Sequence, residues 1–295
     1  ACELADEGVR GMIRSVHMPY DGIEVDAIPM DIVIKRMLKW LDFAHRLEAS
    51  IAVFHTLESS LREFEANLEF FRRMAREAAD RGIKVAVENR LERRLFGSDP
   101  RDLKLLIESV GENIGACADV GHANINRNLS QLLKTLDNSI IEVHLHDNDG
   151  EKDEHKPPFT GSVSWGLVLD WLKRRKEYIN IVFEILCSEQ TSKCLTIAED
   201  SASAFNDTIS GKIIKNSPAD VRPALRPAPN FSYSKSLFSM TLQQTTGISA
   251  SLYLSVPFVG PSKLSKCLSD DIMASAFTDK AAWYWVASSS LTLFP

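Results

Sequence analysis

The 295-residue chain has no apolar run long enough to span a bilayer; its longest ones are short and interrupted. No arginine-flanked apolar leader stands near its start, so no export signal is read there. Its five cysteines (Cys2, Cys117, Cys187, Cys194 and Cys267) are odd in number and lack paired spacing. "CSEQTSKC" (187–194) is too loosely spaced for a redox pair, and reduced thiols in a cytoplasmic protein are the expectation. There is no glycine-rich nucleotide loop after a strand-like run and no G-x-S-x-G elbow. A formal net charge of -6 weighs against broad nucleic-acid affinity.

What is present is unevenly spread. Residues 1–184 hold 25 Lys or Arg against 32 Asp or Glu, together with all seven histidines. Residues 185–295 hold 9 and 8, and twice as many serines as the longer first part. The stretch "HLHDNDGEKDEH" (144–155) alone carries three histidines and five carboxylates. Chemistry is therefore expected before residue 185.

Strand-like and helical patterns alternate along that part. "MIRSVHMPY" (12–20) holds a short strand-like run ending at His17. In 30–49, Val33, Met37, Leu41, Ala44 and Leu47 recur at helical spacing. "SIAVFH" (50–55) is apolar and ends at His55, and 61–80 places Leu61, Phe64, Leu68, Phe71 and Met74 on one helical stripe, with Gly82 placed to stop it. "IKVAVEN" (83–89) precedes "GSDPRDLKLLIESVG" (97–111), which has a capping residue, a first-turn Pro100 and a terminal glycine. "NIGACADVGH" (113–122), "SIIEVHLHD" (139–147) and "NIVFEI" (180–185) read as strands, with an amphipathic helix in 163–177. This alternation predicts parallel strands joined by crossovers.

Each predicted strand ends in a polar residue: His17, His55, Glu88, Asp119, His144, Glu184. In a βα barrel those edges converge on one mouth, whereas an open sheet would spread them along a line. The expectation is a TIM-barrel-like (β/α) unit over 1–186 and a Ser-rich extension of unassigned fold over 187–295. Within the extension, 219–230 reads as a proline-rich linker, and "ISASLYLSVPFV" and "AAWYWVASSSLTLF" as candidate strands. "ACELADEG" reads as a helix end, which places the natural N-terminus before Ala1.

Glu88 and Glu184 close otherwise apolar strands. A carboxylate there needs a cation, a metal or a raised pKa, the bland alternative being a structural salt bridge. Asp119 and His122 sit three apart across a Gly121 turn and can face the mouth together, or simply hydrogen-bond each other. His144 and His146 share a strand face, with Asp147 on the other. Asp153 and His155 repeat a D-x-H spacing within a charged loop that would otherwise be solvated. His17 and His55 end separate strands, and His45, beside Arg46 on a helix, reads as surface. Imidazoles with carboxylates suit zinc, manganese, iron or cobalt. Nine donors exceed one ion's needs, so either two or three ions bind or part of the set positions substrate. Arg90, Arg93 and Arg94 follow Glu88 and are set to meet phosphate or water.

Together "SVHMPY", "VFH", "VEN", "ADVGH", "VHLHDNDGEKDEH" and "VFEI" resemble the xylose-isomerase-like TIM barrels over residues 1–186. That superfamily holds sugar isomerases and epimerases, sugar-phosphate relatives and the endonuclease IV enzymes that cut DNA at abasic sites. The resemblance implies a divalent metal, zinc or manganese, held by Glu88, Asp119, His144 and Glu184. It implies that the two glutamates handle protons and that His122 contacts substrate. The endonuclease branch adds His17, His55, Asp153 and His155 in a trinuclear zinc set, with Tyr20 where an aromatic reaches into DNA. One to three ions are thus implied.

The pattern departs from the family in two places. The strand ending at His17 matches the third of eight, so the first two strands are expected to be missing. The glycine-rich close after the D-x-H loop reads "FTGSVSW", keeping only Gly161. Six strands expose two unpaired edges, which calls for a partner, a homo-oligomer or the tail. The activity expected from the resemblance is an isomerase or epimerase of a sugar or sugar phosphate, working by proton transfer between Glu88 and Glu184. The alternatives are an endonuclease IV-like hydrolase acting on damaged DNA and an inactive barrel fragment.

Overall fold

The computed structural model describes residues 13–20, 22–60, 63–175, 177–186 and 191–210, and three strands at 238–244, 252–256 and 283–289. The segments read above as a helix end (1–8) and a linker (219–230) lie outside the described residues. Six parallel strands follow one another in sheet order as they do in the chain: β1 (Ser15–His17), β2 (Ile51–Phe54), β3 (Lys84–Glu88), β4 (Ile114–Asp119), β5 (Ile140–Leu145) and β6 (Asn180–Phe183). Crossovers run through α1 (Met30–Arg46), α2 (Glu63–Ala79), α3 (Pro100–Val110), α4 (Val120–Ile125) with α5 (Leu129–Leu136), and α6 (Trp165–Arg174). Strand order equal to chain order is the winding of a βα barrel. Within this sheet β1 pairs only with β2 and β6 only with β5, so the barrel is open.

Side-chain alternation separates two apolar regions. Val85 and Val87 of β3 join the large core that packs the helices, whereas Ala86 joins Ile51, Val53 and Cys117 in a second cluster. Successive residues of a strand face opposite ways, so the second cluster lines the inside of the half-barrel. On the helix side, Phe54 of β2 meets Phe70 and Phe71 of α2 edge-on, with centroids 6.0 Å away. Full burial of each ring contributes about 1.5–3 kcal/mol.

Local signals set the helix ends. Asp99 caps α3 by accepting the Arg101 backbone N–H at 2.9 Å, Pro100 occupies the first turn, and Gly111 follows with φ 91°. A positive φ favours a residue without Cβ, which is why this helix ends where a glycine stands. Past residue 186, α7 (Thr191–Ile209) folds back onto the barrel. Its buried Phe205 packs against Phe183, Trp165 and Phe159, at 5.5, 6.3 and 6.1 Å.

Cys194 of α7 is disulfide-bonded, which corrects the expectation of reduced thiols throughout. Pairing depends on how closely two sulfurs approach in space, and sequence spacing does not report that. Cys117 is free and buried. Strands β7 (Phe238–Gln244), β8 (Leu252–Val256) and β9 (Trp283–Ser289) form an antiparallel sheet in the order β8-β7-β9. β8 and β9 fall in the two apolar runs singled out by sequence, whereas β7 carries no comparable signal. No helix among the described residues is long and apolar enough to cross a membrane.

Candidate metal centre

All nine donors singled out by sequence come together at the C-terminal edge of the parallel sheet. Register explains the layer: Asp119 of β4 lies beside His144 of β5, and His144 beside Val182, two residues before Glu184. Donor atoms of Glu88, Asp119, His144 and Glu184 all lie within 4.8 Å of one another, as do those of His17, His55 and Glu88. Glu88 joins the two groups. Its Oε2 is 2.8 Å from His17 Nε2 and 2.9 Å from His55 Nε2, and its Oε1 is 3.4 Å from His144 Nδ1.

Asp153 and His155 reach the cluster because their loop is pinned at both ends. Asp147 and Lys156 exchange two backbone hydrogen bonds of 2.8 Å, and the Leu186 N–H donates to the His155 carbonyl at 2.8 Å. Asp153 Oδ2 then stands 3.0 Å from His155 Nε2 and 3.5 Å from His122 Nε2. Asp147 points away, as alternation requires. It accepts from the Asn148 and Val163 N–H groups at 2.9 and 3.0 Å and from Trp165 Nε1 at 2.7 Å.

Three of the histidines share one arrangement. His17 Nδ1 sits 2.8 Å from the Met18 carbonyl, His122 Nδ1 3.0 Å from that of Asn89, and His155 Nδ1 3.1 Å from that of Glu184. A carbonyl only accepts, so each Nδ1 carries the proton and each neutral ring presents a bare Nε2. Those Nε2 atoms face Glu88 or Asp153. Acceptor facing acceptor is repulsive unless a cation lies between them, as a proton or a metal.

Protonation follows the same demand. Burial acts to lower His122, but Asp119, Asp153 and Glu88 outweigh it and hold it well above the ordinary imidazole value. For Glu88, burial pushes upward, yet His55, His144 and His17 keep it well below the usual carboxylate range. Burial also works against Asp153, and hydrogen bonds from His122 and His155 draw it down. His55, in contrast, is lowered chiefly by burial.

Buried atoms of the cluster without a hydrogen-bond partner include His146 Nδ1, Asp153 Oδ1 and Glu184 Oε1. Such orphans in a fully packed layer are what a bound cation would satisfy, so the residues fit a divalent ion. His146 lies on the same face as His144 and directs Nε2 at both Asp119 oxygens, 3.1 Å from each. Gly121 makes room for it, since a Cβ there would overlap the His146 ring.

Several residues fall elsewhere. Arg90 is not open to phosphate: it is buried, with Nη2 2.6 Å from Glu58 Oε1 and Nε 2.9 Å from Glu92 Oε2. Arg93 turns to the Ile125 carbonyl at 2.6 Å. A run of arginines in sequence does not reveal the carboxylates that fold against it. His45 is exposed and bonds the Arg81 carbonyl, consistent with its surface reading. Tyr20 stacks on His55 at 5.6 Å. Sequence reasoning passed over Asn89 and Glu142. Asn89 exchanges two hydrogen bonds with the Asp119 backbone, at 2.8 and 3.0 Å, and ties the tips of β3 and β4 together. Glu142, buried in β5, had the same signal that flagged Glu88, a carboxylate inside an apolar strand.

The uncharacterized protein MJ1311 of Methanocaldococcus jannaschii is 37% identical over 101 residues, 32% of this chain and 34% of that one. The chain spans about a third of the length of the curated relatives it matches. Among solved structures, a D-tagatose 3-epimerase-like protein superposes with TM-score 0.60 at 24% identity, covering 71% of this chain and 82% of that one. A protein from Thermus thermophilus, its crystals soaked with zinc chloride, gives 0.54 at 22%, with 72% and 87% covered. At these identities the likeness to solved structures speaks for the fold alone. The family model described as "Xylose isomerase-like TIM barrel" matches residues 3–206. Strand order, the shared edge of donors and that match agree: the chain belongs to the xylose isomerase-like TIM-barrel family.

Proposed function

We propose that the chain is a divalent-metal-dependent isomerase or epimerase of a sugar or sugar phosphate. The observation that carries the reading is the meeting of Glu88, Asp119, His144 and Glu184 donor atoms within 4.8 Å in a buried layer. These four residues would hold zinc or manganese. Bound there, such an ion supplies Lewis-acid charge to an oxygen next to the reacting carbon. The D-tagatose 3-epimerase-like fold and the zinc-soaked relative support the same direction.

The two glutamates are not equivalent. Glu88 is held as an anion by His17, His55 and His144, and its oxygens are engaged. Glu184 keeps Oε1 without a hydrogen-bond partner, which suits it to take a proton from a substrate carbon. Held as an anion, Glu88 has no proton to give, so a water beside it, or Glu184 itself, returns one to the carbon. His122 sits 3.5 Å from Asp153 at the rim of the layer, where it orients substrate.

One observation favours a second reading, zinc-dependent cleavage of DNA at abasic sites. His17, His55, Asp153 and His155 belong to the same cluster, and a single ion does not need them. Against it stand the excess of acidic residues in the first 184 and the neutralised Arg90.

Incubation with a panel of aldoses and ketoses in deuterated water tests the first reading. Proton abstraction from carbon washes deuterium into the sugar, seen by NMR, and Glu184→Gln stops it. Cleavage of an abasic-site oligonucleotide without any deuterium exchange would replace this reading with the second.

A further inference from the structure

Glu142 stands two residues before His144 on β5 and is fully buried, yet the activity proposed above makes no use of it. Its Oε1 is 3.1 Å from His144 Nε2, and its Oε2 is 2.8 Å from Asn180 Nδ2 on β6. Asn180 Nδ2 in turn lies 3.4 Å from Ser15 Oγ on β1. A line of polar groups thus runs from β5 through β6 to β1 beneath the donor layer. Around it the inside of the half-barrel is apolar, with Ile51, Val53, Ala86 and Cys117. A carboxylate sealed there costs several kcal/mol in lost solvation unless donors face it. The imidazole and carboxamide N–H groups are those donors.

His144 reverses the arrangement of His17, His122 and His155. Its Nε2 is the pinned nitrogen, and its Nδ1 faces inward, 3.2 Å from Glu184 Oε1, 3.4 Å from Glu88 Oε1 and 3.9 Å from Asp119 Oδ2. We infer that Glu142, oriented by Asn180, is the positioning residue that holds His144 as the Nε2–H tautomer and so presents Nδ1 to an ion shared with Glu88, Asp119 and Glu184. A carboxylate behind a ligating imidazole also raises that ligand's basicity. The inference rests on the metal reading and adds a residue that touches neither ion nor substrate. The competing arrangement is an ion set deeper, on Cys117, Glu142 and His144, whose donor atoms also lie within 4.8 Å of one another. That arrangement uses Nε2 as ligand and needs the opposite tautomer.

The test compares zinc affinity of wild-type protein and Glu142→Gln, by competition with a chromophoric chelator. The expected loss is about 10–100-fold, with altered visible absorption in the cobalt-substituted protein, whereas Cys117→Ser changes affinity by less than about threefold. Affinity of Glu142→Gln within about twofold of wild type overturns the inference and leaves the metal reading intact. A thiolate-to-cobalt band in wild-type protein also overturns it, because the ion then lies on the Cys117 side. Wild-type protein that takes up no zinc sinks both readings. Should Glu142→Gln not fold, nitrogen-15 NMR of zinc-loaded wild-type histidines decides the matter. A proton on His144 Nε2 with the metal on Nδ1 supports the assignment, and the reverse overturns it.

Discussion

The His155 ring lies flat on that of His146, centroids 4.1 Å apart and planes 10° from parallel. Two stacked imidazoles at that separation disfavour a second positive charge. Each ring faces its own carboxylate: His155 Nε2 stands 3.0 Å from Asp153 Oδ2, and His146 Nε2 3.1 Å from both Asp119 oxygens. Burial acts to lower His155, but the Asp153 hydrogen bond and the charges of Asp153 and Glu184 raise it to about 9 in metal-free protein.

The raised value makes a pH prediction with a definite sign. Its folded-state pKa lies above the ordinary 6.5, so this proton stabilises metal-free protein fully below about 6.5, and the contribution is lost as pH rises through about 9. In the arrangement that uses every donor, metal binding runs the other way, because the His155 ring must shed its proton first. Zinc affinity should rise by up to about tenfold per pH unit for each proton displaced, as far as about pH 9. Chelator competition at several pH values gives the slope; a flat profile would remove His155 from the ligands.

Gly121→Ala tests the room under His146. The added methyl overlaps the His146 ring and pushes it off Asp119, whose two oxygens it now contacts at 3.1 Å. Overpacking of this kind costs about 1–3 kcal/mol of stability. Zinc affinity should fall alongside, and a denaturant melt paired with metal titration reads both. Unchanged affinity would mean that His146 has no part in holding Asp119.

Asp147→Asn tests how the D-x-H loop is held. The buried carboxylate accepts three hydrogen bonds, from Asn148, Val163 and Trp165. The amide sets its own N–H group against one of those donors. The cost should be about 1.5–3 kcal/mol or more, the range of a hydrogen bond to a charged group. Urea denaturation gives that number. Backbone hydrogen exchange over 148–163 should quicken in the same variant, and unchanged exchange would show that the Asp147–Lys156 bridge holds the loop alone.

His155→Ala separates the two proposed chemistries. A sugar epimerase that relies on Glu88, Asp119, His144 and Glu184 should lose little, about tenfold at most. A nuclease using every donor should lose at least about a hundredfold. Steady-state rates on each substrate class distinguish them.

The strand-end pattern was legible because each strand is a short, mostly apolar run closed by a polar residue, and alternation fixes where that residue points. Glu88, Asp119 and His144 could be placed from that alone; register then set Asp119 beside His144, and Glu88 beside Cys117, two residues before Asp119. The α3 boundaries were legible for the same local reason, from Asp99, Pro100 and Gly111. Sequence was silent where the answer depended on partners far along the chain. Arg90 looked available until Glu58, 32 residues away, folded against it. Glu142 meets Asn180 only because β5 and β6 are neighbours in the sheet, and Phe205 meets Phe183 only because α7 returns to the barrel. Metal number is illegible for a different cause: proton and ion satisfy the same facing acceptors.

The bare nitrogens and carboxylate oxygens converging on one layer demand positive charge, and elemental analysis of purified, dialysed protein asks most directly what supplies it. About one to three zinc or manganese ions per chain, lost in Glu88→Gln and Glu184→Gln variants that keep their circular dichroism, is the predicted result. A wild-type chain that retains no divalent ion even after zinc or manganese is supplied would contradict the account, because protons alone would then fill the cluster.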